Sequence, residues 1–225
     1  MPKNGQPGSA ADKRVFDPNC RTCPRLAAFR DSVAEANPGY WCRPVPPFGE
    51  RNARLLIVGL APGMHGANRT GRPFTGDYAG ILLYRTLYEH GFSNKPESVA
   101  AGDGLELLDC RITNSVKCLP PANKPVGSEI AHCNAYLASE LELWPAPAVV
   151  VALGAIGHRA LFRALGLRQA AYPFGHGAEH EVPGRFRVID SYHCSRYNTN
   201  TGRLTEAMFH AIFAKARTLL DRKSP

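Results

Sequence analysis

Apolar and polar residues follow one another along the chain in blocks that predict strands and helices in turn. Four short apolar runs, rich in branched residues, predict buried strands at 55–58, 109–116, 148–153 and 186–189. Apolar residues recur at helical spacing at 25–36, 79–90, 128–144, 156–165 and 205–220. This order predicts an α/β fold, a single-domain three-layer α/β/α structure with a central four-stranded parallel sheet.

Local signals refine the pattern at several element ends. Pro24 suits the first turn of the first helix, and Ser128 is the predicted N-cap of the third. The segment 37–51, rich in proline and glycine, predicts an irregular wrap, and 168–184 predicts a loop or a hairpin.

The longest loop follows the first predicted strand. Residues 59–77 hold five glycines and two prolines, and they crowd polar side chains around one aromatic residue, Phe74. Glycine allows a backbone to approach a ligand closely, and a plain strand-to-helix connection does not need this density. Ligands of open parallel sheets bind outside the carboxyl ends of the strands, which brings this loop together with 113–115, Gly154 and 193–198. We therefore expect a ligand site where these segments meet.

Composition and charge indicate the number of domains and the type of binding partner. The 225 residues are 44% hydrophobic, enough for one core, and we predict one domain at 15–225 behind a flexible polar tail at 1–14. The formal net charge of +8 favours a polyanionic partner such as nucleic acid. No stretch approaches the roughly 20 apolar residues of a membrane span, and the tail lacks the apolar core of a secretion signal. We expect a cytoplasmic protein with no membrane partner.

Seven cysteines without a secretion signal favour a metal centre or free thiols over a disulfide framework. Cys20 and Cys23 form a CxxC pair, and Cys118 and Cys133 flank the start of the third predicted helix. Together these four could bind an iron-sulfur cluster or zinc, or remain buried thiols. Cys110, at a strand start, is most simply a small core residue.

Three side chains near the predicted strand ends carry recognition chemistry. Asn114 has a carboxamide that both donates and accepts hydrogen bonds, which suits the edge of a nucleobase. His193 offers a donor for a developing anion, and Phe74 offers a face on which a base can stack. Each alone is more often structural, so their convergence on one rim is what favours a functional site.

With these residues in view, the chain resembles the uracil-DNA glycosylase superfamily, most closely its iron-sulfur type B branch, family 5. The first motif of that branch is similar to GLAPGMHGANRTGRPFTGD at 59–77, and its second to SYHCSRYNTNTGRLT at 191–205. The base-reading strand end of the family is similar to TNSVKC at 113–118. The resemblance implies the uracil-DNA glycosylase fold and a DNA repair enzyme that flips uracil, and other deaminated bases such as hypoxanthine, out of DNA and excises them hydrolytically.

The resemblance also implies roles for single residues. Asn114 would read the flipped base, Phe74 would stack on it, and His193 would face its O2. The substrate pocket would further include Gly59, Ala61 and Gly63. Contacts to DNA would come from Arg69, Arg72, Ser195, Arg196 and Tyr197, and a structural 4Fe-4S cluster, with zinc as the alternative, would be bound by Cys20, Cys23, Cys118 and Cys133. The partners would be double- and single-stranded DNA containing damaged bases, bound by a monomer.

This chain departs from the better-known glycosylases at three positions. Leu60 and Ala61 stand where those enzymes carry polar groups, and the usual water-activating aspartate is absent. Asp77 is the nearest remaining carboxylate, and we assign that role to it; its structural alternative is to cap the next helix. Cys194 replaces the proline of the second motif.

Two other classes of function compete with this hypothesis. A non-catalytic iron-sulfur protein that binds nucleic acid or transfers electrons would share the cysteines and the charge, and would bind DNA without releasing a base. An enzyme that uses the glycine-rich loop for a nucleotide phosphate is disfavoured, because the chain lacks GxxxxGK[ST] and GxGxxG.

Overall fold

The computed structural model describes residues 15–144 and 148–222, and the predicted tail at 1–14 lies outside them. Within these residues six strands form one sheet. They are β1 (Phe48–Gly49), β2 (Leu55–Gly59), β3 (Cys110–Asn114), β4 (Ala148–Leu153), β5 (Glu179–Val182) and β6 (Phe186–Ser191). In the same residues no helix is both long and apolar enough to cross a membrane.

Seven α-helices accompany the strands in the described residues. They are α1 (Pro24–Ala36), α2 (Ala67–Thr70), α3 (Tyr78–Glu89), α4 (Gly127–Glu142), α5 (Gly154–Ala164), α6 (Arg196–Asn200) and α7 (Glu206–Asp221). The long helices lie where the hydrophobic periodicity predicts them. Helix α4 begins one residue before Ser128, so the prediction of Ser128 as its N-cap is wrong. The cap is Val126, whose N–H donates to the Glu129 carboxylate at 2.8 Å.

The sheet has the order β1-β3-β2-β4-β6-β5. Its four central strands are parallel, as predicted, and β1 and β5 pair antiparallel at the two edges. The sheet is therefore mixed and six-stranded around the predicted four-stranded core. The irregular wrap at 37–51 contributes β1, and 168–184 contributes β5 as one arm of a hairpin with β6.

Residues that alternate along the central strands enter two different cores. In β2, Leu55 and Ile57 pack with α3 and α7 on one face, while Leu56 and Val58 pack with α4 and α5 on the other. All four side chains are fully buried. Because both faces are covered, β2 and β4 read as continuous apolar runs and not as alternating ones. The three predicted layers are confirmed.

The carboxyl ends of the parallel strands meet at one edge of the sheet. Gly59, the last residue of β2, is paired with Asn114, the last of β3. Leu153 at the end of β4 is paired with Ser191 at the end of β6, which places His193 two residues beyond the same edge. Strand register therefore brings Asn114 and the segment that carries His193 to one rim, and the loop after β2 adds Phe74 to it.

The covered sheet faces predict a sharp difference between two leucine positions. Leu87 on α3 is fully buried and Leu143 after α4 is 78% exposed. Leu87→Ala should lower the free energy of unfolding by about 2–5 kcal/mol, since it removes buried methyl groups and leaves a cavity. Leu143→Ala, the matched control, should change it by about 0.5 kcal/mol or less. Urea denaturation measures both, and equal losses would contradict this assignment of the core.

Candidate active site

A cleft of about 1260 Å³ opens at the carboxyl edge of the sheet. Its walls bring together residues from three separate predicted segments, including Ala61, Gly63, Phe74, Asp77, Asn114 and His193. Arg69, Ser195 and Arg196 also line it. The segments expected to converge from the sheet topology therefore form one continuous site.

Two of the recognition side chains approach the backbone closely at Gly59. A Cβ atom at this position would lie 2.4 Å from Asn114 Oδ1 and 2.7 Å from the Phe74 ring. Real Cβ atoms do not approach other atoms so closely, so only glycine lets the amide and the ring converge on the end of β2. Gly59 thus builds the pocket by the absence of a side chain.

Asn114 carries an unpaired acceptor into this pocket. The residue is 4% exposed, and its Oδ1 has no hydrogen-bond partner in the described structure. The neighbouring Gly59 carbonyl, in contrast, is hydrogen-bonded: the backbone N–H and the hydroxyl of Ser115 both donate to it, at 2.9 and 2.8 Å. A buried polar atom without a partner costs roughly 1–3 kcal/mol. Such an atom at the bottom of a cleft indicates a ligand that supplies the missing donor.

Phe74 is held in a conformation that side chains rarely adopt. Its φ is 53°, in the left-handed region, and the residue is 6% exposed. The Tyr84 hydroxyl donates to the Pro73 carbonyl at 2.7 Å, and Gly80 leaves room for the Phe74 carbonyl. Strain of this kind persists only where surrounding contacts enforce it, and it concentrates at functional sites. The ring stacks against His193, with centroids 5.9 Å apart and an angle of 29° between planes.

His193 is neutral at ordinary pH because of its surroundings. Removal of the ring from water lowers the pKa of His193 to about 4. Its backbone carbonyl accepts a hydrogen bond from Asn198 Nδ2 at 2.8 Å, and Gly154 keeps space for its Cβ. A neutral imidazole can still donate one hydrogen bond, and it does so without carrying charge into the cleft.

Asp77 caps α3 and also faces the cleft. One carboxylate oxygen accepts from the Gly80 N–H at 3.0 Å. The other points at the glycine-rich loop, where a Cβ on Gly66 would lie 2.3 Å from it. Burial raises the pKa of Asp77, and the two capping N–H groups of α3 partly offset the rise. Asp77 is thus the N-cap of α3 through one oxygen, and its other oxygen is not used by that cap.

The positions predicted to contact DNA divide into two groups. Arg69, Arg196 and Tyr197 are exposed around the mouth of the cleft, and the Arg196 guanidinium lies 5.0 Å from the ring centre of Tyr78. Ser195 caps α6 through a hydrogen bond from the Asn198 N–H. These four remain available for DNA.

Arg72 does not belong with them, and its prediction as a DNA contact is wrong. The side chain is buried, forms an ion pair with Asp103 at 2.6 Å, and donates to Thr75 Oγ1 at 3.1 Å. It also lies over the ring of Phe48, 5.0 Å from its centre. The charge of Arg72 is paired with Asp103 inside the fold. Through these contacts Arg72 stabilises the loop that carries Phe74.

Cys20, Cys23, Cys118 and Cys133 gather where α1 meets α4. They share a small core with Leu26, Val116 and Tyr136, separate from the two cores of the sheet. Arg25 on α1 and Glu129 on α4 form a bidentate ion pair beside them, with both N···O distances at 2.8 Å. The grouping that the sequence predicts is therefore present in space.

The spacing of these sulfurs bears on the group that they could bind. Within the described chain no three of them lie within 4.8 Å of one another. A tetrahedral zinc ion would hold its thiolates only about 3.8 Å apart, from Zn–S bonds of about 2.3 Å. Burial raises the pKa of Cys23 to about 11 and that of Cys118 to about 12. The Cys23 and Cys118 thiols are therefore protonated at neutral pH, and a metal ion bound there would have to displace their protons.

Several residues that line the cleft were not predicted from the sequence as part of the site. Tyr78 and Ile81 project from α3, and Phe174, Tyr192 and Arg203 line the opposite wall. Tyr192 stands directly before His193 at a strand end, which was a usable signal. Phe174 lies in a loop without periodicity, and only the folded chain places it near the site.

Comparison with known proteins relates this site to characterised families. The model of the uracil DNA glycosylase superfamily matches residues 46–217. The chain is 50% identical over 205 residues to a type-5 uracil-DNA glycosylase of Thermus thermophilus, covering 89% of this chain and 93% of that one. It is 46% identical over 202 residues to a type-5 enzyme of Pyrobaculum aerophilum, covering 88% of each. A type-4 uracil-DNA glycosylase of Archaeoglobus fulgidus is 33% identical over 153 residues, 66% of this chain and 69% of that one.

The burial of His193 predicts an unusual titration. Its ring should stay neutral until the pH approaches about 4, below the ordinary value of 6.5. As the pH falls, the His193 ring of the unfolded chain is protonated near 6.5, whereas that of the folded protein is protonated only near 4. The free energy of unfolding therefore decreases as the pH falls from about 6.5 to about 4. NMR of histidine-labelled protein measures the titration, with His193→Gln to assign the signal. A His193 midpoint near 6.5 would contradict this description of the site.

Proposed function

The chain belongs to the uracil-DNA glycosylase superfamily, and we propose that it is a DNA repair enzyme that hydrolyses the N-glycosidic bond between uracil and deoxyribose. One observation carries this proposal: the buried, unpaired Oδ1 of Asn114 lies in the same cleft as the Phe74 ring and the neutral His193 imidazole, which stack on each other. An amide, an aromatic face and a neutral donor in one cleft suit a flat, uncharged heterocycle removed from a base stack.

Asn114 supplies the selection of the base. Uracil presents a ring N–H beside a carbonyl, so Asn114 Oδ1 accepts from the N–H while the amide NH₂ donates to the carbonyl. Cytosine presents an acceptor where uracil has its N–H, and it would leave the Asn114 oxygen unpaired. Pockets that leave a buried polar group unpaired reject the wrong substrate strongly. Phe74 stacks on the accepted base, a contact worth about 1–3 kcal/mol in single-strand binders.

His193 stabilises the leaving group. Cleavage of the N-glycosidic bond leaves negative charge on the base, mostly on the carbonyl oxygens. A neutral imidazole donates a hydrogen bond to the O2 oxygen as this charge develops, and donors of this kind contribute about 10²- to 10³-fold in rate. The low pKa of His193 keeps the ring in this form across physiological pH.

Asp77 serves the opposite side of the bond. The sugar becomes positively charged as the base departs, and a carboxylate near C1′ favours that charge and accepts a proton from the attacking water. The oxygen that does not cap α3 faces Gly63 and Gly66, on the floor of the cleft. The raised pKa of Asp77 makes it a better base than an exposed aspartate.

The mouth of the cleft is suited to DNA, double- or single-stranded. Arg69 and Arg196 are exposed beside it and can pair with phosphates, and Tyr197 is 71% exposed on α6. Together with the net charge of +8, they predict binding that weakens as salt rises. Tyr197 and Arg196 would fill the space that the flipped base leaves in the duplex.

The same geometry supports a broader choice of substrate. Leu60 and Ala61 add no polar side-chain group to the pocket, so fewer contacts depend on the outline of uracil. Hypoxanthine presents the same N–H beside a carbonyl, and Asn114 can read it in the same orientation. We extend the proposal to hypoxanthine, with mismatched bases favoured because they unstack at lower cost.

The four grouped cysteines fit a 4Fe-4S cluster better than zinc. Their sulfurs are spaced more widely than one zinc ion requires, whereas a cluster places iron and sulfide between its thiolates. Such a cluster supplies binding energy that joins α1 to α4 and to the chain after β3, and hydrolysis of the base needs no electron transfer. Its proposed role is structural.

The decisive experiment is incubation with a duplex oligonucleotide that carries one uracil, followed by alkali. Strand scission at the uracil supports the proposal. Binding of the oligonucleotide without scission would instead favour a non-catalytic DNA-binding protein.

Substitutions at the two recognition residues give a sharper outcome. His193→Ala should lower the single-turnover rate by about 10²- to 10³-fold on both uracil and hypoxanthine, since the donor acts on the charge of the leaving base, at O2 of uracil and at N3 of hypoxanthine, which has no O2. Asn114→Ala should also slow both, because both bases present the same edge. The matched control Asn52→Ala, in an exposed turn, should keep the wild-type rate. An Asn114→Ala enzyme as fast as wild type would rule out Asn114 as the reader.

The metal proposal predicts colour and iron. Protein purified without oxygen should be brown and contain about four iron atoms per chain, the content of one 4Fe-4S centre. Cys118→Ala should lose iron and unfold more easily, because metal binding energy is folding energy. Cys42→Ala, outside the cysteine group, should keep both iron and stability. Stoichiometric zinc without iron would overturn the cluster assignment.

A further inference from the structure

A second group of interacting side chains lies behind the wall of the cleft that carries His193. Asp190 in β6, His158 in α5 and His180 in β5 are buried together. Asp190 Oδ1 lies 2.8 Å from His158 Nδ1, and Asp190 Oδ2 lies 3.0 Å from His180 Nε2. The group has no part in the chemistry described above.

The hydrogen-bond partners of the two His158 ring nitrogens define the charge of the His158–Asp190 pair. His158 Nε2 lies 2.8 Å from the Tyr172 carbonyl, which can only accept, so this nitrogen must carry a proton. Nδ1 faces a carboxylate oxygen at hydrogen-bond distance, and that contact needs a second proton. Asp190 Oδ2 also faces His180 Nε2 at 3.0 Å and the Gly175 N–H at 3.4 Å, and hydrogen bonds from these donors favour the carboxylate form, which places the second proton on the His158 ring. His158 is therefore an imidazolium paired with a buried carboxylate.

A metal ion is the other way to join the same three groups, since their ligand atoms lie within 4.8 Å of one another. A tetrahedral zinc ion holds nitrogen and oxygen ligands about 3.3 Å apart, from bonds of about 2.0–2.1 Å. The observed separations of 2.8 and 3.0 Å are shorter and match direct hydrogen bonds. The geometry favours the ion pair.

The pair is connected to His193 through short lengths of backbone. Asp190 exchanges hydrogen bonds with the preceding loop, from its N–H to the Ala178 carbonyl at 2.9 Å and from the Gly177 N–H to its own carbonyl at 2.8 Å. Two residues later, the Tyr192 N–H donates to His176 Nδ1 at 3.1 Å. On the other side, α5 begins at Gly154, where an added Cβ atom would lie 3.4 Å from the Cβ atom of His193. His158 lies one helical turn further along α5.

We propose that Asp190 and His158 form a buried ion pair that positions His193 for the leaving base. The pair fixes the end of β6 to α5, so it sets how far the His193 ring enters the cleft. Asp190 and His158 are positioning residues, and neither touches the substrate. The assignment deepens the proposed function and rests on it for its kinetic consequences only.

Two substitutions at Asp190 separate positioning from other roles. In Asp190→Asn, the new NH₂ can donate to a neutral His158 Nδ1, the new carbonyl can accept from His180, and His158 Nε2 still donates to Tyr172. All three hydrogen bonds are therefore kept in Asp190→Asn, while His158 carries one proton instead of two. Asp190→Ala removes them all, and a misplacement near 1 Å costs on the order of 10²-fold in rate.

The kinetic arm measures single-turnover excision of uracil and binding of an oligonucleotide that contains an abasic site. Asp190→Ala should lose on the order of 10²-fold in rate and keep its affinity for DNA. Asp190→Asn should recover most of that rate. Equal losses in the two variants, or no loss in either, would overturn the positioning role.

The spectroscopic arm needs no activity and no altered fold. In ¹⁵N-histidine spectra of the wild-type protein at pH 7, His158 should show protons on both ring nitrogens, and in Asp190→Asn on Nε2 alone. His158→Gln assigns the signal. A neutral wild-type His158, or stoichiometric zinc that Asp190→Asn loses, would overturn the ion pair. If the wild-type protein released no uracil, the proposed function would fail while this arm still tested the pair.

Discussion

The close approach of three chain segments at Gly59 is the constraint on which the candidate site depends. The end of β2 must pass within contact distance of both the Asn114 amide and the Phe74 ring. Register between β2 and β3 delivers Asn114, while the loop after β2 must turn back to deliver Phe74. The positive φ of Phe74, its buried ring and the anchored Pro73 carbonyl all follow from that requirement. Any side chain at Gly59 would separate the two groups between which a base would sit.

A buried polar network connects this point to the cysteine group. Lys117 is 1% exposed, and its ammonium contacts Thr113 Oγ1 and lies 3.0 Å from Glu140. Its backbone N–H donates to the Cys133 sulfur at 3.4 Å. Removing one partner from such a pair leaves an uncompensated buried charge, at a cost of about 3–5 kcal/mol. Asn114 directly follows Thr113, so the position of the Asn114 amide depends on the same packing that holds the cysteines together.

Sequence patterns predicted the parts of this structure that depend on local periodicity. The central strands, the long helices and the layer order follow from runs and repeats of apolar residues. The edge strand β1 was not predicted, because it has only two residues, whereas β5 forms one arm of the hairpin that was one of the two predictions for 168–184. Residue types after strand ends predicted the convergence of Asn114, His193 and the loop that carries Phe74, since the carboxyl ends of parallel strands meet at one edge.

Ion pairs and hydrogen bonds between residues far apart in the chain could not be predicted from the sequence. Arg72 resembles its loop neighbour Arg69 in every local respect, yet one is buried against Asp103 and the other is exposed. The group of His158, His180 and Asp190 is spread over 33 positions on three elements, and no spacing rule connects them. An ion pair can be recognised only once the fold has brought its partners within contact distance.

Asp77 shows how one residue can cap a helix and also line the cleft. Its first oxygen is used by the N-terminus of α3, which fixes the side-chain torsion and leaves the second oxygen pointing into the cleft. The helix N-terminus favours the negative form while burial disfavours it, and the balance leaves the pKa of Asp77 raised. Cys194, which follows His193, lies close enough for the Asp77 charge to raise the pKa of its thiol further, beyond the effect of burial. Where the second motif of related enzymes has proline, this chain therefore places a neutral thiol that adds no competing charge. The glycines of the loop are needed for the same reason as Gly59, because a Cβ on Gly66 would occupy the space of the carboxylate.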